Sequence, residues 1–240
     1  MDPARIAELL QPFLTLSILP DPCHSEQSEE SAVLSPAQLQ NISMYIDLLL
    51  RWNARINLTA IRQPEEIVTR HFGESLFAAR HLFPSQEQCR RERPRSCTAI
   101  DIGSGAGFPG IPIKIWAPEI NLTLIESNQK KATFLREVTR TLTLMNVNVF
   151  SGRAQAYSNP PAEVVTLRAV ERFETTLPMA ASLVAPTGRL ALLIGEAQLA
   201  STKDLTPGFT WTPPLQVPRS SSRVLAIGTR KASKVTHQTR

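Results

Sequence analysis

The sequence predicts an α/β protein: a doubly wound, mostly parallel seven-stranded sheet preceded by an N-terminal helical extension. Three observations predict it. Residues 98–116 read as strand, glycine turn and helix. After residue 98, short apolar runs alternate with segments of helical period, which implies parallel strands joined by helical crossovers. Before residue 90, every periodic segment has the helical spacing and none alternates like a strand. At 240 residues the chain can hold one such domain with an added segment. The expected division is a helical extension over residues 1–90 and a sheet domain over residues 91–240.

The elements follow in order. Residues 4–18 suit a short amphipathic helix. The stretch from Pro20 to about residue 33 is polar and aperiodic, and reads as a disordered insert. Ser35 and Pro36 form a good helix start, as cap and first residue. Leu39, Ile42, Ile46, Leu49 and Trp52 then recur at helical spacing. A second helix is expected from Pro64 to about Phe83. The first strand, Thr98-Ala99-Ile100, leads into the glycine turn and a helix through Trp116. Asn121–Glu126 reads as the second strand, followed by a helix with Phe134, Leu135, Val138 and Leu142 on one face. Further strands are expected at Asn146–Phe150, Glu163–Leu167, Arg189–Ile194, Trp211–Val217 and Val224–Thr229, with a helix over Glu171–Ala185. In such a sheet a ligand belongs at the carboxyl ends of the strands.

The turn itself is Asp101-Ile102-Gly103-Ser104-Gly105-Ala106-Gly107-Phe108-Pro109-Gly110. Glycines admit positive φ and let backbone approach a ligand closely. A helix start beyond them aims free N–H groups at that ligand. Dinucleotides and S-adenosylmethionine both suit the layout, and a ligand-free turn would share it. Residues 105–110 formally satisfy the dinucleotide pattern G-x-G-x-x-G. Asp101 argues for the other ligand, because a carboxylate there would repel a pyrophosphate and welcome a sulfonium and an ammonium. Asp-x-Gly-x-Gly-x-Gly resembles the first motif of class I methyltransferases. Glu126, at the end of the second strand and about 20 residues beyond the glycines, is placed to accept hydrogen bonds from ribose hydroxyls. The third strand ends near Ala154 and Gln155, which could cover an adenine. Asn159-Pro160-Pro161 precedes the fourth strand and lacks a following aromatic, so it reads as a connecting turn rather than an amino-methyltransferase motif.

Composition narrows the function. No apolar run approaches the ~18 residues of a membrane span, and the N-terminus has no signal-peptide layout. Cys23, Cys89 and Cys97 have no metal spacing and suggest reduced thiols in the cytoplasm. The formal charge is +5. Cations concentrate at Arg90, Arg91, Arg93 and Arg95, and again from Arg219 to Arg240, which holds six Lys/Arg and no acid. Such patches attract polyanions through phosphates.

Taken together, residues 36–195 and the last strand resemble the RsmG (glucose-inhibited division protein B) family. The resemblance is carried by Trp52-Asn53 with Asn57-Leu58-Thr59 and by Arg70-His71 with Glu74-Ser75. It continues through Asp101 to Pro112 and through Ile125-Glu126-Ser127 with Lys130-Lys131 and Phe134-Leu135. Arg153 and Arg168-Ala169 complete it. It implies a class I methyltransferase fold, S-adenosylmethionine as methyl donor, and methylation of guanine N7 in small-subunit ribosomal RNA. It implies a donor site of Asp101, Gly103, Gly105, Gly107, Phe108, Glu126, Ala154, Gln155 and Arg168, with Arg168 and Arg153 as catalytic residues. The partner would be ribosomal RNA or the small ribosomal subunit, with no membrane and no metal, and the chain would act as a cytoplasmic monomer. His71 is expected to be a packing residue, since N7 carries no proton to remove. Three departures stand out. Glu74 replaces the usual Asp. The fifth strand ends Ile194-Gly195 where the family has Lys-Gly, which shifts a cationic role to Arg168 or the basic tail. The polar insert is not a family feature. A methyltransferase of another substrate and a non-catalytic RNA-binding factor remain the alternatives.

Overall fold

The computed structural model describes residues 1–15, 32–84, 97–169 and 172–232. The polar insert, the first basic cluster, the boundary near residue 90 and the end of the tail therefore lie wholly or mostly outside the described residues.

Among the described residues, four helical segments come first. Helix α1 (Pro3–Leu14) is capped by Asp2, whose side chain accepts the Arg5 N–H. Helix α2 (Pro36–Asn53) starts with a capping box in which Ser35 and Gln38 satisfy each other's backbone N–H. Pro64–Ile67 (α3) runs through a π-helical turn, Val68–Gly73, into α4 (Glu74–Leu82), so the expected second helix is present but locally widened. The expected helix at 4–18 stops at Leu14.

The sheet contains β1 (Thr98–Ile102), β2 (Asn121–Glu126), β3 (Val147–Ser151), β4 (Ala162–Arg168), β5 (Val184–Gly195), β6 (Phe209–Trp211), β7 (Leu215–Gln216) and β8 (Arg223–Arg230). Its order is β3-β2-β1-β4-β5-β8-β6, with β7 also on β8. The first five are parallel, and β8 is antiparallel to β5, β6 and β7. Eight strands replace the expected seven, because Pro213 and Pro214 break the last edge strand in two and proline cannot donate to a ladder. The fifth strand is also longer than expected: the helix after β4, α7 (Phe173–Ser182), ends early and Val184 already pairs with Ala162. Helix α8 (Leu199–Leu205) has no apolar period and buries only Thr202; it was not legible in the sequence.

Period-two alternation divides the core. Along β5, Leu190, Leu192 and Ile194 face α7, while Ala191 and Leu193 face the helical layer on the other side. That layer joins α1–α4 to α5 (Gly110–Trp116) and α6 (Gln129–Thr141) in one continuous core around Tyr45, Phe72, Phe108 and Phe134. The N-terminal helices are thus part of the domain's core. No helix among the described residues is long and apolar enough to cross a membrane.

Helix α2 has a fixed direction across the sheet. Near its start, the Gln38 amide donates to the carbonyl of Ile115 at the end of α5 (2.9 Å). Midway, the Tyr45 hydroxyl donates to the carbonyl of Ala106 in the glycine turn. Its last residue, Asn53, holds the following loop: Oδ1 accepts the N–H of Leu58 (2.9 Å) and of Thr59 (3.1 Å). The carboxyl end of α2 therefore lies at the carboxyl edge of the parallel strands.

Candidate active site

The glycine turn sits at the end of β1, between β2 and β4, where the register aligns Ile102 with Ile125 and Leu167. Gly103, Gly105 and Gly107 have φ of 67°, 56° and 91°, a region costly for side chains. Their reasons differ. A Cβ on Gly107 would collide with the Tyr45 hydroxyl and reach 2.6 Å from Ile111, so packing demands that glycine. A Cβ on Gly105 would meet only the Gly103 carbonyl, at 3.7 Å. The space above Gly105 is open, as a ligand cradle requires.

Glu126 lies at the mouth of that space and is buried. Its Oε2 accepts the Gly105 N–H at 2.8 Å, and its Oε1 accepts the Asn128 N–H at 2.7 Å. The carboxylate therefore fixes the turn and the start of α6 together, and keeps lone pairs for further donors. Asp101 lies beneath the turn rather than in its mouth. It is 1% exposed. Oδ1 accepts from Thr166 Oγ1 (2.7 Å) and Oδ2 from the Gly110 N–H (3.3 Å). Burial raises its carboxyl to about 6, against the lowering effect of these hydrogen bonds. In this position Asp101 braces the turn through Thr166 and Gly110. Phe108 is also internal: its ring lies against Tyr45 (5.4 Å) and His71 (4.7 Å), so only its backbone could meet a ligand.

Arg168, at the end of β4, is 10% exposed at its side chain. Nε and Nη2 donate to Glu74 Oε2 (3.3 and 2.9 Å), Nη2 also to the Arg70 carbonyl (2.7 Å), and Nη1 to His71 Nδ1 (3.1 Å). Arginine is only a donor, so His71 Nδ1 is the acceptor. The His71 proton is then on Nε2, 2.8 Å from Thr59 Oγ1. Burial, and then the neighbouring guanidinium of Arg168, pull the imidazole down to about 3. His71 is therefore neutral and engaged at both nitrogens. Glu74, 2% exposed, gathers Arg168, Arg223 (3.1 Å) and Arg70 (3.6 Å) around one carboxylate.

Arg153 is exposed beside the 3₁₀ turn Ala154–Ala156, with Ala154 buried and Gln155 exposed. These residues follow β3 at the same edge of the sheet as Glu126, which pairs with Ser151. Ile194 is 4% exposed within the core facing α7. The cation that the sequence does not single out is Arg223. It pairs in register with Gly195, so antiparallel β8 starts at the carboxyl edge of β5. The same strand ends at the opposite edge, where Arg230 donates to the Val184 carbonyl and Lys231 to that of Pro207. Tyr45 was missed too, although it shares the helical face of Ile42, Ile46 and Leu49. Among the described residues no cluster of His, Cys, Asp and Glu could hold a metal.

A doubly wound sheet with this turn, this strand-end acid and an antiparallel penultimate strand defines a class I methyltransferase fold. The chain belongs to the rRNA small subunit methyltransferase G (GidB) family, whose model matches residues 38–212. It is 37% identical to the ribosomal RNA small subunit methyltransferase G of Xanthomonas euvesicatoria over 195 residues, 80% of this chain and 84% of that protein. It is 34% identical to the protein of the same name from Xanthomonas oryzae, over 86% of this chain and 91% of the relative. Its fold is similar to magnesium protoporphyrin IX methyltransferase from Synechocystis with bound SAM. That likeness has a TM-score of 0.59 at 12% identity and covers 80% of this chain and 97% of the other.

Proposed function

We propose that this chain transfers a methyl group from S-adenosylmethionine to N7 of a guanine in small-subunit ribosomal RNA, as a cytoplasmic enzyme. Family membership supports the donor and the RNA. The observation that carries the choice of N7 is the engagement of His71 and of the three carboxylates at the site. His71 is neutral and bonded at both nitrogens. Asp101 is sealed beneath the turn, Glu126 binds two backbone N–H groups, and Glu74 is held by three arginines. No free general base remains among them. An exocyclic amine or a hydroxyl gains from one; guanine N7 has a lone pair and no proton.

The residues present fit the donor. The open face of Gly105 admits close backbone approach, and Glu126 stands where ribose hydroxyls can donate to its remaining lone pairs. Ala154 and Gln155 border the adenine side. Gly103, Gly107 and Phe108 shape the turn, and Asp101 braces it from below. Bound there, the donor would supply a sulfonium methyl to the N7 lone pair, the C–S bond breaking as the N–C bond forms and the thioether leaving. The protein's share is orientation and exclusion of water. Arg168 spends four donors inside the protein, so it organises the site. Arg153 is the exposed cation for a donor carboxylate or an RNA phosphate, a geometry that a guanidinium suits.

The test is direct. The protein is incubated with S-adenosylmethionine and either protein-free small-subunit rRNA or intact small subunits. The product is treated with borohydride and aniline, which cleave at N7-methylguanine. Cleavage at a guanine is expected; methyl label on an adenine amino group or on protein would overturn the reading.

A further inference from the structure

Two groups of cations stand out on the surface of the helical layer. Arg5 pairs with Glu8 and Glu65, and Arg70 with Glu66 and Glu74. In contrast, Arg51 and Arg55 at the carboxyl end of α2, and Lys130, Arg136 and Arg140 on α6, are exposed and form no ion pair among the described residues. These five belong to one surface. Trp52, between Arg51 and Arg55 in sequence, packs its ring 5.7 Å from Phe134 in the middle of α6. Lys130 lies one turn before Phe134. Arg136 and Arg140 are one turn apart on the outer side of α6, and Arg136 reaches the Val149 carbonyl of edge strand β3 (3.4 Å). The surface therefore runs from α2 across α6 to the sheet edge. Glu137 is the carboxylate α6 contributes to it. Asp47 of α2 is drawn aside by the Met1 ammonium (3.6 Å).

We infer that this α2–α6 face is a track for the RNA backbone flanking the target nucleotide. It begins at the donor site, because α6 starts three residues after Glu126 and α2 ends at the loop that Asn53 and Thr59 tie to His71. Unpaired guanidinium and ammonium groups in a row complement phosphates and carry no base information. Trp52 is half-buried at the track's centre, and its indole N–H makes no hydrogen bond among the described residues. This partly exposed indole offers an unpaired base an aromatic surface to stack on. The track's residues are separate in sequence from the basic segments at residues 90–95 and 233–240, and its use in catalysis rests on the RNA reading above.

The test is the full-length variant Arg51→Gln/Arg55→Gln/Arg136→Gln/Arg140→Gln, none of whose positions touches the donor site. Binding to protein-free small-subunit rRNA is titrated at several salt concentrations, with donor affinity by calorimetry and thermal melting as controls. RNA affinity should fall roughly tenfold or more near 0.1 M salt, and the slope of log affinity against log salt should flatten by up to about 3 units, near 0.7 per contact. Donor affinity should hold. The four-lysine counterpart should restore both affinity and slope, because phosphate contacts need charge. Wild-type affinity and slope in the glutamine variant would overturn the track. So would a loss seen only on intact subunits, which would mark an acidic protein partner instead. Failure of the RNA reading itself shows separately, as wild-type protein that leaves no N7-methylguanine in either substrate.

Discussion

The carboxylate of Glu126 accepts the backbone N–H of Gly105 at 2.8 Å, so the acid at the end of β2 holds the glycine turn at the end of β1. One side chain thus shapes the cradle and presents its remaining lone pairs to what lies in it. Glu126→Gln should keep the Oε1 acceptor and much of the turn, while Glu126→Ala leaves the N–H groups of Gly105 and Asn128 without their partner. Unpaired buried donors cost about 1–3 kcal/mol each. Donor affinity should fall roughly 5- to 150-fold in the alanine variant and less in the glutamine variant. Calorimetry showing wild-type affinity in both would make Glu126 a scaffold residue only.

The glycines of the turn should separate cleanly. Gly107→Ala places a methyl against Tyr45 and Ile111 in a packed core, where overpacking costs about 1–3 kcal/mol before backbone strain is added. It should lower the melting temperature markedly. Gly105→Ala bears backbone strain alone, about 1–2 kcal/mol, and its methyl enters the open cradle. It should lose donor affinity out of proportion to its stability. Equal effects on both properties in the two variants would contradict the assignment of the open face to a ligand.

Asp101 should give the fold an unusual pH response. Its carboxyl is raised to about 6 by burial, above the ordinary value of 3.8 that the unfolded chain keeps. The native state holds this proton more tightly than the unfolded state between those values. Its contribution to stability is therefore complete below about pH 4, declines as pH rises to 6, and is flat above. The full swing is on the order of 3 kcal/mol. Asp101→Asn is neutral throughout and should remove this decline in denaturant titrations at pH 4, 5 and 7. Parallel pH dependences for the two proteins would show that Asp101 does not titrate in this window.

Much of this architecture is written locally. The strand, glycine turn and helix at 98–116 announce themselves by residue type and spacing, and Glu126 by its distance from the turn. What escaped reading depends on distant residues. Glu74, Arg168 and Arg223 meet across α4, β4 and β8, and nothing near any one of them signals the other two. The bracing position of Asp101 depends on Thr166 of the neighbouring strand. Tyr45 looks like an ordinary core residue until α2 is laid over the turn and its ring meets Phe108. Local pattern also fails where it is weak: α8 lacks an apolar stripe, and the edge strand is interrupted by Pro213 and Pro214.

His71 separates a positioning role from a basic one. Its imidazole is lowered to about 3 by burial and then by Arg168, so the unfolded chain, titrating near 6.5, binds a proton more readily. The stability this group provides is complete above about pH 6.5 and is lost as pH falls towards 3, amounting to about 2 kcal/mol by pH 5. This runs opposite to the Asp101 effect between pH 4 and 6, so single variants are needed to see either. His71→Gln cannot be protonated and still offers Arg168 an acceptor. Relative to wild type, its stability should rise by about 2 kcal/mol between pH 7 and 5. Methyl transfer should keep kcat within about tenfold, because losing a true general base typically costs about 10²–10⁴. Wild-type kcat should also stay level from pH 6.5 to 8, where a working imidazole base would titrate. A collapse of kcat by 10³ in His71→Gln, with folding and donor affinity intact, would return His71 to a chemical role and remove the main argument for N7.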